Sequence, residues 1–250
     1  MTPEQPAAGR IFLVRHGETE WSAAGKHTGR SDIPLTDTGR AAARRVRAAL
    51  STLRGNTRPA RVLCSPRTRA RDTAALAGLR VDAVDDRLAE WDYGAQEGLT
   101  TPQIRESLPG WTVWDGPWPG GETPDAVSAR ADAVLADARA WLAGADAGSA
   151  CAPPGADAGS ACAPPGADAG SACAPPGIDA GSACAPPGAD VVLVGHGHFS
   201  RVLAVRWIGL PATGGVHVRM DPAGVTVLGT ERGVPRLDHV NHRPPAPESE

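Results

Sequence analysis

Lysine is almost missing from this chain. Lys26 is the single one among 25 basic residues, so arginine supplies the rest and leaves many bidentate anion clamps available. Rings are scarce as well, with one Tyr, two Phe and seven Trp in 250 residues, and those tryptophans are assigned to core or pocket wall. Neither sign of charge is in real excess: 25 basic against 28 acidic residues give a formal net charge of −3. That balance argues against nucleic acid or an anionic membrane as a general partner. No stretch approaches the roughly 18 consecutive apolar residues of a membrane span. The apolar run Ile11 to Val14 is too short for a signal-peptide core, and Met1 to Arg10 is polar. A cytoplasmic protein with reduced thiols is therefore expected.

What is present divides into two materials. Residues 144–187 are four tandem 11-residue units, three reading GADAGSACAPP and the last GIDAGSACAPP. They hold four of the five cysteines, Cys151, Cys162, Cys173 and Cys184. Those thiols recur every 11 residues without a CxxC pair or a nearby histidine, a poor pattern for zinc. Each unit has paired prolines, small residues and no large apolar side chain to stack, so the block cannot build a core. It reads as an expanded surface loop interrupting a single domain of residues 11–240. Residues 1–10 read as a flexible N-terminus and 241–250 as a disordered tail.

The remaining chain alternates strands and helices. Strands are predicted at Ile11–Val14, Arg61–Cys64, Val81–Val84 and Val191–Val194, with edge strands at Val216–Val218 and Val225–Leu228. Helices are predicted over 36–53, Thr68–Leu76, 123–143 and Phe199–Ile208. This order implies an α/β fold, a three-layer α/β/α sandwich around a mostly parallel sheet. In such sheets ligands collect at the carboxyl ends of the strands. Three of those ends carry Arg15-His16-Gly17, Ser65-Pro66 with Arg69 beyond, and Gly195-His196-Gly197. If these strands are neighbours, two histidines and two arginines meet on one rim. A neutral imidazole there can capture a phosphoryl group, cations can neutralise its oxygens, and a carboxylic acid can protonate the leaving alcohol. That chemistry calls for no metal and no cofactor.

The residues on this rim resemble the histidine phosphatase superfamily, the phosphoglycerate mutase-like group. The likeness runs through Leu13-Val14-Arg15-His16-Gly17-Glu18-Thr19, His27-Thr28-Gly29-Arg30 and Ser65-Pro66-Arg67-Thr68-Arg69. It continues in Leu88-Ala89-Glu90-Trp91 and Val194-Gly195-His196-Gly197. The resemblance implies that His16 accepts the phosphoryl group, with Arg15, Arg69 and His196 completing its pocket. It implies Glu90 as proton donor to the leaving oxygen, and then as base for water. Ser22, Thr28, Gly29 and Gly197 are implied on the substrate side, and a homodimer is a common assembly in such a family. His198 has no matched role and is expected as a wall residue. Trp111, Trp114 and Trp118 sit in a proline-rich loop read as core or wall, with a cap over the site as the alternative.

The family contains phosphatases and mutases. A mutase must grip a second anionic group, yet between Glu90 and Ala129 the only arginine is Arg105, and no lysine follows Lys26. Hydrolysis of small phosphorylated metabolites is expected, best at acidic pH because the leaving group needs a proton from Glu90. The chain resembles the bacterial acid phosphatases of the family. A cofactor-dependent phosphoglycerate mutase is the alternative within the family. A non-catalytic phospho-ligand binding module is the alternative outside enzymes, and it would be marked by loss of His16 or Glu90, both of which are present.

Overall fold

The computed structural model describes residues 9–56, 58–146 and 190–243. The polypeptide begins with strand β1 (Ile11–Arg15), a short helix α1 (Glu20–Ala23) and the long helix α2 (Asp37–Arg54). Strand β2 (Arg61–Cys64), helix α3 (Thr68–Leu76) and the two-residue strand β3 (Ala83–Val84) follow. Helices α4 (Thr101–Ser107) and α5 (Pro124–Asp146) precede strand β4 (Val191–Gly195) and helix α6 (Gly197–Trp207). Strands β5 (Val225–Glu231) and β6 (Val234–His242) complete the described chain.

One six-stranded sheet runs in the order β3-β2-β4-β1-β5-β6. The pairs β2/β3, β2/β4 and β1/β4 are parallel, whereas β1/β5 and β5/β6 are antiparallel. The sheet is therefore mixed, parallel through its first four strands. Strand alternation assigns residues to two cores. Ile11, Leu13, Leu63, Val191 and Leu193 face the layer that contains α5 and α6. Phe12, Val14, Val62, Cys64, Val192 and Val194 face α2 and α3. Burial on both faces is why β1 and β4 read as unbroken apolar runs rather than as alternation. Each such side chain contributes about 1.5–3 kcal/mol by leaving water.

Local signals set the ends of α2. Thr36 caps it by accepting a hydrogen bond from the Gly39 N–H at 2.9 Å, and Gly55 stops it at φ +79°. Ala43, Val46, Ala49 and Leu50 form its buried face.

Several expectations are corrected. Val216–Val218 is no strand, because Ala212–His217 winds into 3-10 turns. Val225–Glu231 is interior, flanked by β1 and β6. β6 itself was not expected, since its outward residues and Pro235 break any apolar alternation. It is reached by a tight turn in which Arg232 and Gly233 both have positive φ, the geometry that returns a strand antiparallel. Asn241 and His242, placed in the tail by sequence, belong to β6. The rest of the tail, residues 1–8 and residues 147–187 of the repeat block lie outside the described residues. Among the described residues no helix is long and apolar enough to cross a membrane.

Candidate active site

Strands β2, β4 and β1 lie side by side, and their register aligns Cys64, Val194 and Val14. The next residues, Ser65, Gly195-His196 and Arg15-His16, therefore emerge together at one rim. The chain stays tied there: His16 N–H donates to the Gly195 carbonyl and Ser65 N–H to the Val194 carbonyl, both at 2.9 Å. Gly17 is needed for the turn, because a Cβ there would meet the Gly39 carbonyl oxygen at 2.5 Å. The Thr73 hydroxyl of α3 accepts the Gly17 N–H at 2.9 Å and locks it.

His16 is buried and its Nδ1 lies 2.6 Å from the Gly17 carbonyl. A carbonyl only accepts, so Nδ1 carries the proton and Nε2 keeps its lone pair. Burial, with Arg15 and then Arg69 as further causes, holds the imidazole well below the usual histidine range. It is thus neutral, the form that attacks phosphorus. The His196 ring stands 5.2 Å from the His16 ring. Its Nε2 bonds the Ser65 hydroxyl at 2.7 Å, and its buried Nδ1 has no partner among the described residues.

Arg15 reaches the Met220 carbonyl through Nη1 at 2.5 Å, while its buried Nε has no partner among the described residues. Gly197 makes room for it, since a Cβ there would lie 3.1 Å from the guanidinium carbon. Arg69 is fully buried on α3, with Nη1 on the Ser31 carbonyl at 2.7 Å and Nη2 on the Thr28 carbonyl at 3.0 Å. The Glu90 carboxylate accepts three backbone N–H groups, from Trp91 at 2.9 Å, Phe199 at 2.8 Å and His198 at 3.0 Å. The last two belong to the first turn of α6, whose positive dipole end suits a carboxylate.

A cavity of about 250 Å³ opens over this rim. Of the residues singled out from sequence, Arg15, His16, Glu90, Ser22, Thr28 and Gly197 line it. Arg69 and His196 are not in its lining; both are fully buried, each with one unpartnered nitrogen among the described residues. Gly29 is also absent from the wall, because its N–H is held by the Glu97 carboxylate at 2.9 Å. The Ser22 hydroxyl is spent within the cap of α1, donating to the Thr19 carbonyl at 3.0 Å.

Sequence reasoning missed several contributors. Arg130 of α5 holds the Glu90 segment by donating to the Arg87 carbonyl at 2.8 Å and the Ala89 carbonyl at 2.7 Å, while pairing with Glu122 at 2.6 Å. Lys26, His27, Tyr93, Thr101, Arg201 and Met220 line the cavity beside the predicted set. His198 is a wall residue, sharing a 2.6 Å hydrogen bond with the Tyr93 hydroxyl. Burial lowers His27 to about 4 and holds His198 well below the usual range. Trp111 and Trp114 are buried behind this wall, with ring centroids 5.1 Å from His27 and 5.3 Å from His198. They are core and support rather than a cap. Arg105 is tied to the Trp111 carbonyl at 2.8 Å and does not reach the cavity. Among the described residues no cluster of His, Cys, Asp or Glu is arranged to hold a metal ion.

This arrangement of a neutral imidazole, a guanidinium and a carboxylate on one rim defines a class. Residues 11–147 and 181–243 match the histidine phosphatase superfamily (branch 1), and the chain belongs to that family. It is similar to an acid phosphatase of Mycobacterium tuberculosis, 39% identical over 228 residues, which are 91% of this chain and 90% of the relative. A glucosyl-3-phosphoglycerate phosphatase of the same organism is 34% identical over 138 residues, 52% of this chain and 60% of the relative. The solved structure of an open reading frame product of Mycobacterium tuberculosis, 38% identical, superposes with a TM-score of 0.73 over 94% of this chain and 98% of its own.

Proposed function

We propose that this chain hydrolyses small phosphomonoesters through a phosphohistidine on His16. The observation that carries the reading is the 2.6 Å bond from His16 Nδ1 to the Gly17 carbonyl, which leaves Nε2 as the free nucleophile beside Arg15 and Glu90. In the first half-reaction Nε2 attacks phosphorus, the P–O ester bond breaks, and the leaving oxygen takes a proton from the Glu90 carboxyl. Arg15, Arg69 and the Nδ1–H of His196 offset the charge on the transferring oxygens. In the second, the Glu90 carboxylate takes a proton from water as its oxygen attacks phosphorus. The N–P bond breaks, and inorganic phosphate and neutral His16 are restored.

A cavity of about 250 Å³ is below the roughly 300–1,000 Å³ of sites for drug-sized ligands, which favours a small phosphorylated metabolite over a phosphoprotein. Acid quenching during turnover of a ³²P-labelled ester tests the reading. An acid-labile, base-stable label on the wild type, absent from His16→Ala, is expected; turnover without any label would overturn it. The repeat block is proposed as an insertion outside the catalytic unit, supported by a family match that passes from residue 147 to 181. Deleting 144–187 should leave kcat/KM within about twofold, and a folded deletion without activity would refute that. Cytoplasmic location is part of the same proposal, tested by cell fractionation.

A further inference from the structure

The cavity holds more positive charge than one phosphoryl group uses. Among the described residues Glu90 is the only carboxylate in its lining, against Arg15, Lys26 and Arg201, and Arg69 adds a fourth cation near His16. Arg15 and Arg69 are assigned to the transferred phosphoryl group. Lys26 and Arg201 have no such task. The Lys26 ammonium has no hydrogen bond or ion pair among the described residues; its contact is the Trp21 ring, 5.4 Å away. Its main chain is nonetheless fixed, with N–H bonded to the Trp21 carbonyl at 2.8 Å.

Arg201 of α6 is held rigidly by neutral groups. Nε donates to the Gly215 carbonyl at 2.8 Å, Nη2 to the Val216 carbonyl at 3.1 Å, and the guanidinium lies 4.6 Å over the Trp114 ring. Its Nη1 has no partner among the described residues. Glu90 is the carboxylate whose charge acts on Arg201, and Arg15 shares it, so much of the desolvation cost of this half-buried cation is left for an anionic ligand to offset. Lysine occurs once in this chain, and it occurs in this wall. A compact ammonium with three rotatable donors follows a small anion that a fixed guanidinium alone cannot surround.

We propose that Lys26 and Arg201 form a second-anion subsite, so that the substrate carries a carboxylate or a second phosphate besides the phosphoryl group it loses. This deepens the phosphatase reading and rests on it. It also revises the expectation that cations for a second anion are lacking: they come from the α1 loop and α6 rather than from the segment after Glu90.

Phosphate release from two matched pairs tests the subsite. 3-Phosphoglycerate and glycerol 3-phosphate differ by one carboxylate; fructose 1,6-bisphosphate and fructose 6-phosphate differ by one phosphate. The wild type is expected to prefer the doubly anionic member of at least one pair by about tenfold or more in kcat/KM. The responding pair identifies the anion. Lys26→Gln should cut that ratio about tenfold, and Arg201→Gln should act in the same direction. Lys26→Gln decides alone if the arginine variant fails to fold, since its ammonium makes no structural bond. A wild-type ratio near one, or a ratio unchanged in Lys26→Gln, would overturn the subsite. No phosphate released from any of the four esters would instead overturn the phosphatase reading, and the subsite with it.

Discussion

The two ends of the cavity are built differently. At the phosphoryl end, Arg15, His16 and His196 follow directly from adjacent parallel strands, and Arg69 stands on the helix after β2. Backbone register places them, and burial keeps both histidines neutral. At the leaving-group end, Lys26, His27, Tyr93, Thr101 and Arg201 come from loops, a helix start and the second turn of α6. Their placement depends on side-chain bonds such as that between Tyr93 and His198. On the proposed reading the phosphoryl group is held mainly by residues at the ends of rigid strands and the choice of substrate falls to the loops, the usual division of labour in α/β enzymes.

Four measurements would break or sharpen that division. The largest effect belongs to the phosphoryl end: His16→Ala should lower kcat/KM about 10⁴-fold or more for every ester, since His27 and His198, the other imidazoles of the wall, are bonded to the Thr101 and Tyr93 hydroxyls. A variant that keeps a tenth of wild-type activity would remove the imidazole from the centre of the mechanism. Glu90→Gln should follow, with a loss of about 10²–10⁴-fold on alkyl phosphates. The loss should shrink on 4-nitrophenyl phosphate, whose leaving group needs no proton. Equal losses on both would assign Glu90 a structural role only.

Acid should weaken the fold through the leaving-group wall as well as the rim. His27 keeps its neutral form down to about pH 4 when folded, whereas an unfolded imidazole binds a proton near 6.5. Between those values unfolding takes up a proton, so stability is whole above about 6.5 and is lost as pH falls toward 4. His27 alone accounts for about 2 kcal/mol between pH 6.5 and 5, and His16, His196 and His198 act in the same direction. Urea midpoints at pH 7 and 5 should separate accordingly, and His27→Gln should narrow the gap. Identical midpoints would mean these rings are already protonated in the fold.

The smallest effect is expected from Tyr93→Phe. It removes the 2.6 Å bond to His198 and about 1 kcal/mol of positioning. KM should rise severalfold with kcat little changed; a kcat collapse with KM constant would move Tyr93 to the chemical end.

Legibility followed the same line. The rim was readable because apolar runs such as Ile11–Val14 and Val191–Val194 announce buried strands, and the residue after each run needs no further geometry. Helix Thr68–Leu76 was read at its observed bounds. β6 was not readable, since an exposed strand carrying Pro235, Arg236 and Asp238 has no apolar signature. Arg130 was hidden because it looks like any other arginine on α5 until the carbonyls of Arg87 and Ala89 come to meet it. The Arg232-Gly233 pair was the one local sign of the β5–β6 turn that sequence reasoning passed over.

Sequence by itself determined the layered α/β plan and picked out the residues proposed as nucleophile and phosphate-neutralising partners, because strand ends and motif residues are local facts. Tertiary structure alone decided which rings and cations wall the leaving group and which carbonyls hold the acid in place. Those contacts join residues far apart in the chain, and only the packing of helices against the sheet brings them within hydrogen-bond reach.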